Sequence, residues 1–233
     1  MKHTTPLVFL LSMLAASAIA QSSADIPVGR RIFLNSVLGI SAPGFSDLNA
    51  SLSKAGFLPL SGVYFARGAG LMTVFPKARL ATIVNFSSYT GTATDATRSS
   101  WARGTTAGAS LGVLARNTDR VQIIPYAGLA YSWFGTRLAK TAPVSTAFDG
   151  YINGPTNQQY IGNEQFMGNV GLHVGKPGIG RGALAQKILV GLRAGYMFPL
   201  AQPTWQTNGV TLSGGPSANT GGTYLHLVIG SSL

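Results

Sequence analysis

The sequence predicts an all-β protein, an eight-stranded antiparallel up-and-down barrel that spans a membrane. Three observations favour this fold: segments whose side chains alternate with period 2, connections that alternate in length, and a composition poor in charge. Charged residues form 10% of the chain, compared with about 25% in typical soluble domains. The chain of 233 residues contains 30 glycines and no cysteine, so a disulfide framework is excluded.

The alternation is clearest in residues 187–200, KILVGLRAGYMFPL. Every second side chain from Ile188 to Phe198 is apolar or aromatic, whereas the opposite face includes two glycines, Arg193 and Met197. In a water-soluble sandwich the face with the arginine would contact solvent. In a membrane barrel the apolar face contacts lipid and the small or polar face lines the lumen, so this strand alone leaves both folds open.

Seven further segments alternate in a similar way and are separated by turn residues, which gives eight strands in all. The alternation is least clear in the first of them. They are residues 31–41, 61–75, 80–88, 103–115, 121–135, 164–175 and 223–233. Pro125 cannot donate to a strand ladder, so we expect a bulge or a distorted pairing there.

The connections between these strands alternate between long and short, and this parity favours the membrane barrel. Besides the connection after the first strand, the long ones are residues 90–100, 138–162 and 201–222. Outer-membrane barrels have long extracellular loops and short periplasmic turns. A soluble sandwich or a lipocalin-like barrel has no reason to follow this parity, so we expect a membrane barrel with periplasmic termini.

A short helix is expected in the first extracellular loop. Leu48 and Leu52 share one helical face within residues 47–55. Ser46 is placed to cap the start of this helix, and Gly56 is placed to end it. The loop is therefore expected to be partly ordered.

Aromatic side chains collect at the strand ends beside the long connections. Amphipathic rings prefer the headgroup level of a membrane, so these residues predict an outer aromatic girdle. Its members are Tyr64, Tyr89, Trp101, Trp133, Phe166, Tyr196, Phe198 and Tyr224.

Polar side chains near mid-strand are expected to face the lumen, because an arginine exposed to lipid at the bilayer midplane costs ~2–4 kcal/mol. The lumen-facing candidates are Arg67, Asn85, Gln122, Asn169, His173, Arg193 and His226. Two inward arginines without mid-strand carboxylates would favour contact with anions. An eight-stranded barrel is only wide enough for side chains to fill it, so a packed polar plug and a path for small solutes both remain open.

Residues 1–20 are predicted to be a cleaved signal peptide. A basic n-region precedes an apolar run, and the segment AIA before Gln21 forms a small-x-small cleavage site. Residues 21–30 would form a short periplasmic tether, and residues 31–233 the barrel in the outer membrane.

These features resemble the small eight-stranded outer-membrane β-barrels, the OmpA/OmpX-like proteins and their uncharacterised porin-like relatives. The likeness covers residues 31–233 and rests on the signal sequence, the strand parity, the segment FSDLNASLSKAGFLPLSG and the alternating C-terminal strand. The resemblance implies contact with outer-membrane lipids and recognition of the C-terminal strand by the barrel-assembly machinery. Such barrels usually end on an aromatic residue, whereas this chain ends in Leu233.

The net charge of +11 would usually indicate binding to nucleic acid or to an anionic surface. The basic residues are scattered, however, and Arg30 with Arg31 is the only adjacent pair. No motif of a nucleic-acid-binding module accompanies them. We therefore expect no nucleic-acid partner.

Residues suited to catalysis are few. After the signal peptide the chain contains two histidines, His173 and His226, and most of its six carboxylates fall in loops or turns. We expect His173 toward the periplasmic end of the lumen and His226 in the outer half, so that they do not share a site. The sequence shows no catalytic triad, carboxylate pair or metal-ligand spacing, and it predicts no enzyme activity, metal or cofactor.

The favoured interpretation is an outer-membrane barrel with a structural or surface-contact role, in which the extracellular loops contact a ligand or surface partner. The alternative is a narrow porin-like channel for small, anionic solutes. A membrane-embedded lipid-modifying enzyme that uses His226 is a third hypothesis. A soluble lipocalin-like binder is the fourth.

Overall fold

The computed structural model describes residues 31–118, 120–140, 158–179 and 187–233. The predicted signal peptide and periplasmic tether lie outside the described residues. The described residues form eleven strands and one helix, and they contain no helix long and apolar enough to cross a membrane. In chain order the elements are β1 (Arg31–Gly44), α1 (Ser46–Lys54), β2 (Tyr64–Phe75), β3 (Leu80–Thr94), β4 (Arg98–Val113), β5 (Arg116–Asn117), β6 (Gln122–Lys140), β7 (Gln158–Pro177), β8 (Ile188–Pro199), β9 (Thr204–Thr207), β10 (Val210–Leu212) and β11 (Asn219–Ser232).

Eight of these strands close into an antiparallel barrel, which confirms the predicted fold class. Their order around the wall is β1, β2, β3, β4, β6, β7, β8 and β11, and β11 pairs back onto β1. Val37 of β1 lies opposite Gly68 on one side and opposite Val228 on the other. Because every barrel strand has two neighbours, closure removes the free edges of the sheet.

The wall is apolar outside and partly polar inside, which is the reverse of a water-soluble protein. On β8, Leu192 is 53% exposed whereas the adjacent Arg193 is 1% exposed. On β7, Leu172 is exposed and the adjacent His173 is fully buried. Exposed apolar side chains that alternate with buried polar ones are the pattern of a transmembrane barrel.

The connection between β3 and β4 differs from the prediction. Residues 90–100 are predicted to be a loop, but the pairing of the two strands continues without a break as far as Thr94 opposite Ser99. Only residues 95–97 turn. The many threonines suggested a loop, yet threonine is β-branched and suits a strand when a partner strand is present.

At the tip of this hairpin the Asp95 carboxylate closes the turn. Its Oδ1 accepts hydrogen bonds of 2.7 Å from the backbone N–H groups of Thr97 and Arg98. These bonds hold the pKa of Asp95 below its usual value. Their stabilising effect is therefore present above the unfolded-state pKa and is lost as the pH falls through the lowered folded-state pKa.

β6 and β7 extend well beyond the length needed to cross a membrane. They contain 19 and 20 residues, whereas a transmembrane strand needs about 9–11. Their pairing continues to Ala139 opposite Gln158. β9 pairs with the same end of β7, with Trp205 opposite Asn163, and β10 pairs with β9. The end of the barrel with the long connections, called the loop end, therefore carries an extension of the sheet.

Two further predicted loops, residues 138–162 and 201–222, are partly strand. Parts of residues 138–162 belong to β6 and β7, and residues 141–157 lie outside the described residues. Residues 201–222 contain β9, β10 and the beginning of β11. Both segments pair with strands that are distant in sequence, and such pairing leaves only a weak local pattern.

The helix α1 forms where the sequence predicts it, with Leu48 and Leu52 as its buried residues. The predicted cap at Ser46 is wrong, because the helix already includes Ser46 and Phe45 occupies the N-cap position without a side-chain hydrogen bond. Packing of the buried Phe45 ring fixes the start of the helix instead. Gly56 follows the helix with a φ of +78°, a conformation that glycine adopts readily.

Pairing is shifted beside Pro125, as expected. β4 pairs with β6 as far as Gly112 opposite Tyr126, and pairing resumes with Arg116 of β5 opposite Ile123. One extra residue therefore lies on the β4–β5 side, next to the proline that has no N–H to donate. On the other side of β6 the pairing with β7 continues through Pro125 without a shift.

Candidate functional site

The lumen is filled by side chains, and an apolar cluster occupies the end with the short turns, called the turn end. Its largest members are fully buried, so the cluster closes the turn end of the lumen. This turn-end cluster consists of Phe33, Met72, Val74, Ala81, Ile83, Leu114, Ile124, Tyr126, Leu189 and Val228.

A second apolar cluster, the mouth cluster, closes the loop end of the lumen. Here α1 and the residue before it contribute Phe45, Leu48 and Leu52. The ring centroid of Phe134 lies 4.8 Å from that of Phe45 and 6.2 Å from that of Trp205. The other buried members are Leu60, Tyr64, Ala66, Tyr89, Ala102, Leu138 and Ala218.

Hydrogen bonds hold α1 and the segment around Trp205 in place, and these two segments form a lid over the loop end of the lumen. Asn49 of α1 donates from Nδ2 to the carbonyl oxygen of Leu60 over 3.0 Å and accepts from the Leu60 N–H over 2.8 Å. The Trp205 indole N–H donates to the carbonyl oxygen of Pro216 over 2.8 Å. These bonds satisfy polar groups beside an apolar cluster, so the lid is an ordered part of the fold.

Between the two apolar clusters lies a polar layer around Arg193. Arg193 projects inward from β8, and its Nη1 donates a hydrogen bond to Oδ1 of Asn85 on β3. β8 and β3 lie on opposite sides of the closed barrel, so the guanidinium group crosses the lumen. A side chain in this position obstructs a path along the barrel axis.

His173 and His226 flank Arg193 on the two neighbouring strands. Arg193 lies opposite His226 of β11 and opposite His173 of β7, and all three side chains are buried. The prediction that the two histidines lie at different depths is therefore wrong. The predicted depths were based on the number of residues from each strand end. Barrel strands are staggered relative to one another, and the stagger brings these three residues into one row.

Two tyrosines extend the polar layer. The Tyr224 hydroxyl donates to Oδ1 of Asn169 over 2.8 Å, so it accepts from the Tyr126 hydroxyl, which is 2.6 Å away. Asn169 in turn donates to Oγ of Ser110 over 3.3 Å. A Cβ on Gly171 would lie 2.4 Å from the Tyr126 hydroxyl, so the glycine provides the space for this chain of hydrogen bonds.

The positive charge of Arg193 has no carboxylate partner in the lumen among the described residues. The described carboxylates are Asp47, Asp95 and Glu164, which are exposed at the loop end. Within the same part of the chain, Nε and Nη2 of Arg193 and both ring nitrogens of His173 lack a hydrogen-bond partner. The polar layer therefore holds a positive charge that no carboxylate among the described residues balances. Burying such a charge costs free energy.

The structure places six of the seven predicted lumen residues inside the barrel. They are Asn85, Gln122, Asn169, His173, Arg193 and His226. The prediction for Arg67 is wrong: it is exposed on the outer face of β2 with Phe65, because Tyr64 and Ala66 take the inward positions. Arg67 lies near the loop end of its strand, where a long side chain reaches the headgroup level without turning inward.

The polar layer lacks the convergent groups that catalysis needs. Oγ of Ser41 lies 3.5 Å from Nε2 of His226, but no carboxylate among the described residues is placed to orient this histidine. The same residues contain no group of three histidine, cysteine or acidic side chains that could hold a metal ion. The arrangement fills the middle of the lumen with polar side chains, between the two apolar clusters.

Comparison with solved structures relates this architecture to known proteins. A major outer membrane protein from Thermus thermophilus matches 88% of this chain and 99% of its own, with 11% identity and a TM-score of 0.55. The chain has the fold of an outer-membrane β-barrel. Ail, the attachment invasion locus protein of Yersinia pestis, matches 88% of this chain and 97% of its own, with 8% identity and a TM-score of 0.45. No family model and no curated protein matches the chain.

Five of the eight predicted girdle residues lie on the outer face of the barrel. They are Trp101, Trp133, Phe166, Tyr196 and Phe198. The prediction is wrong for Tyr64, Tyr89 and Tyr224, which are buried inside. Their positions at strand ends suggested a girdle, but the alternation along each strand turns them inward.

Two residues of the mouth cluster, Phe45 and Trp205, have no role in the sequence-based prediction. Phe134 has the inward parity of its strand, opposite to that of Trp133, and this signal could have placed it in the lumen. Phe45 and Trp205 lie outside the predicted strands. Their positions depend on contacts with distant strands, which leave no periodic pattern in the sequence.

Proposed function

We propose that this protein is an integral outer-membrane barrel that is closed to solutes and acts through contacts made by its loop end. The filled lumen carries this proposal. An apolar cluster occupies each end, and Arg193 crosses the middle. A barrel of eight strands has room for such side chains and little else.

The outer surface of the wall supports a membrane location. Exposed apolar side chains encircle it, for example Leu34 and Leu38 on β1, Leu111 on β4, Leu129 on β6 and Leu192 on β8. Water-soluble monomers rarely expose a contiguous apolar surface of this extent. Outer-membrane lipids would cover this apolar belt. The barrel-assembly machinery would recognise β11, which closes the barrel against β1.

The same features favour this role over the alternatives. The packed lumen weighs against a narrow anion channel. His226 is buried in the lumen, so a lipid outside the barrel does not contact it. This position weighs against a lipid-modifying enzyme. The exposed apolar belt and the filled interior both weigh against a soluble lipocalin-like binder, which needs an open cavity.

The loop end offers the surface for contacts because the ordered sheet extends there. β10 is the last strand of that extension and, among the described residues, has neighbouring strands on one side only. Val210 and Leu212 of β10 are exposed. A free strand edge with apolar side chains can pair with an extended segment of another chain, so the proposed partner is an extracellular protein or surface ligand.

Single-cysteine labelling tests the proposed orientation. Because the chain contains no cysteine, Val210→Cys at the loop end and Lys77→Cys in the turn after β2 each introduce one exposed thiol. We expect a maleimide too large to cross the outer membrane to label V210C in intact cells, and to label K77C only after the membrane has been opened. The wild-type chain is the unlabelled control. Labelling of K77C in intact cells, or protection of both thiols, would contradict the proposal.

A further inference from the structure

A trough with a glycine floor lies on the outer wall near the loop end. Its floor follows one row of the register, in which Gly135 of β6 lies between Arg103 of β4 and Gly162 of β7. Gln206 of β9 lies opposite Gly162 and continues the row. The two glycines place no side chain of their own on the outer face, and the row forms a depression of about 630 Å³. The Tyr160 ring lies against both glycines, and its hydroxyl would be 2.3 Å from a Cβ on Gly135.

Aromatic and basic side chains form the two walls of the trough. Trp133 forms the wall nearer the apolar belt. Trp101, Arg137 and Tyr160 lie in one row of the register. Trp101 and Arg137 form the wall nearer the strand tips, and the Tyr160 ring extends from this row over the floor. The guanidinium carbon of Arg137 lies 5.7 Å from the centroid of the Trp101 ring, within the range of a cation–π interaction.

The apolar belt begins directly beside this trough. Tyr131 and Phe166 lie opposite each other on β6 and β7, two residues nearer the turn end than Trp133 on β6 and its partner on β7. Their ring centroids are 4.8 Å apart. Leu129 and Val170 continue the exposed apolar surface. The trough therefore lies at the aromatic level, where the headgroup region of a membrane is expected.

The lining of the trough carries an excess of positive charge. Arg103 and Arg137 line it, and neither guanidinium group donates a hydrogen bond to another of the described residues. The one carboxylate that lines it among the described residues, that of Glu164, accepts a hydrogen bond from the Tyr131 hydroxyl on the belt side. A planar guanidinium group binds phosphate oxygens through two parallel hydrogen bonds.

We propose that the trough binds the phosphorylated headgroup of an outer-membrane lipid. This site rests on the membrane location proposed above. The phosphate lies between Arg103 and Arg137 beside the Tyr160 hydroxyl, and the acyl chains extend along Tyr131 and Phe166 onto the apolar belt. A lipid fits better than free phosphate because the apolar belt begins directly beyond the Trp133 wall of the basic trough, so that one molecule contacts both surfaces.

A matched pair of lipids tests this site on the wild-type protein. Folded protein in an uncharged detergent is titrated with dioleoyl phosphatidic acid or with dioleoylglycerol, each labelled on one acyl chain. The second lipid has the same chains and no phosphate. We expect phosphatidic acid to bind at least about tenfold more tightly, because hydrogen bonds to a charged group contribute most of the difference. Equal binding of the two lipids, or full displacement of phosphatidic acid by inorganic phosphate at equal concentration, would overturn the proposal.

Two double variants locate the binding. R103Q/R137Q removes both guanidinium groups of the trough, whereas R31Q/R116Q removes the same charge from exposed positions at the turn end. We expect only R103Q/R137Q to lose the preference for phosphatidic acid, and equal behaviour of the two variants would overturn the site.

Faster gel migration of unboiled samples shows for each variant that the barrel is closed. If V210C and K77C label as expected but the lipid preference is absent, the trough proposal alone fails. If the labelling pattern fails, the membrane orientation fails.

Discussion

Replacing Gly39 with alanine is expected to prevent closure of the barrel in most of the protein. A Cβ at this position would lie 2.1 Å from the carbonyl oxygen of Leu225 and 2.8 Å from Cα of His226. Both atoms belong to the backbone of β11, which closes the barrel against β1, so no change of rotamer relieves the overlap. Overpacking costs ~1–3 kcal/mol where side chains can adjust, and we expect the backbone clash to reach or exceed the upper end of that range.

Gly62→Ala is the matched control, because a Cβ there would meet no atom within 4 Å. A closed barrel resists detergent and migrates faster on a denaturing gel before boiling than after it. We expect the fast-migrating fraction of G39A to be much smaller than that of the wild type, and the fraction of G62A to equal it. Equal fractions for the two variants would contradict the geometry of the β1–β11 seam.

Phe134→Ala is expected to release α1 from the mouth of the barrel. Phe134 is 2% exposed, and its ring contacts those of Phe45 and Trp205. Removal of a buried phenyl ring costs ~3–5 kcal/mol. This loss falls on the mouth cluster, so we expect the lid to open locally while the barrel wall stays closed. The measurement is the rate of tryptic cleavage after Lys54, the exposed last residue of α1.

Phe166→Ala provides the matched control for this experiment. Phe166 is 63% exposed and lies on the outer face of β7, so the same chemical change leaves the mouth cluster intact. We expect cleavage after Lys54 to be faster in F134A than in the wild type and unchanged in F166A. Similar cleavage rates for F134A and the wild type would show that the lid does not depend on this cluster.

The strand alternation made most of the barrel predictable. In β8 the opposite environments of Leu192 and Arg193 follow directly from period 2, since a strand turns successive side chains to opposite faces. The buried face of α1 follows from the helical spacing of Leu48 and Leu52. These features depend on residues close in sequence, so the sequence alone was sufficient to predict them.

The relative positions of the strands could not be predicted in the same way. His173, Arg193 and His226 form one row because of the stagger between strands, which alternation within a strand does not specify. Arg67 and Tyr224 were misplaced for a related reason: their predicted positions rested on depth along the strand, whereas their parity decides which face they occupy.

The loop end was the least predictable part of the structure. Trp205 closes the mouth because β9 pairs with β7, and the residues in this pairing are far apart in sequence. The β3–β4 hairpin was expected to be a loop because of its polar composition. The trough required knowledge of which residues on three strands share a row, since Gly135 and Gly162 form its floor only in the observed register.

Planar-bilayer recording tests most directly whether the lumen is closed. Protein that shows the fast-migrating form before boiling is reconstituted, and co-sedimentation with liposomes confirms its insertion. We expect no discrete conductance steps above the bilayer leak, because apolar clusters close both ends and Arg193 crosses the middle. Reproducible single-channel steps with a preference for anions, reduced by Arg193→Ala, would contradict the closed barrel and favour a narrow channel.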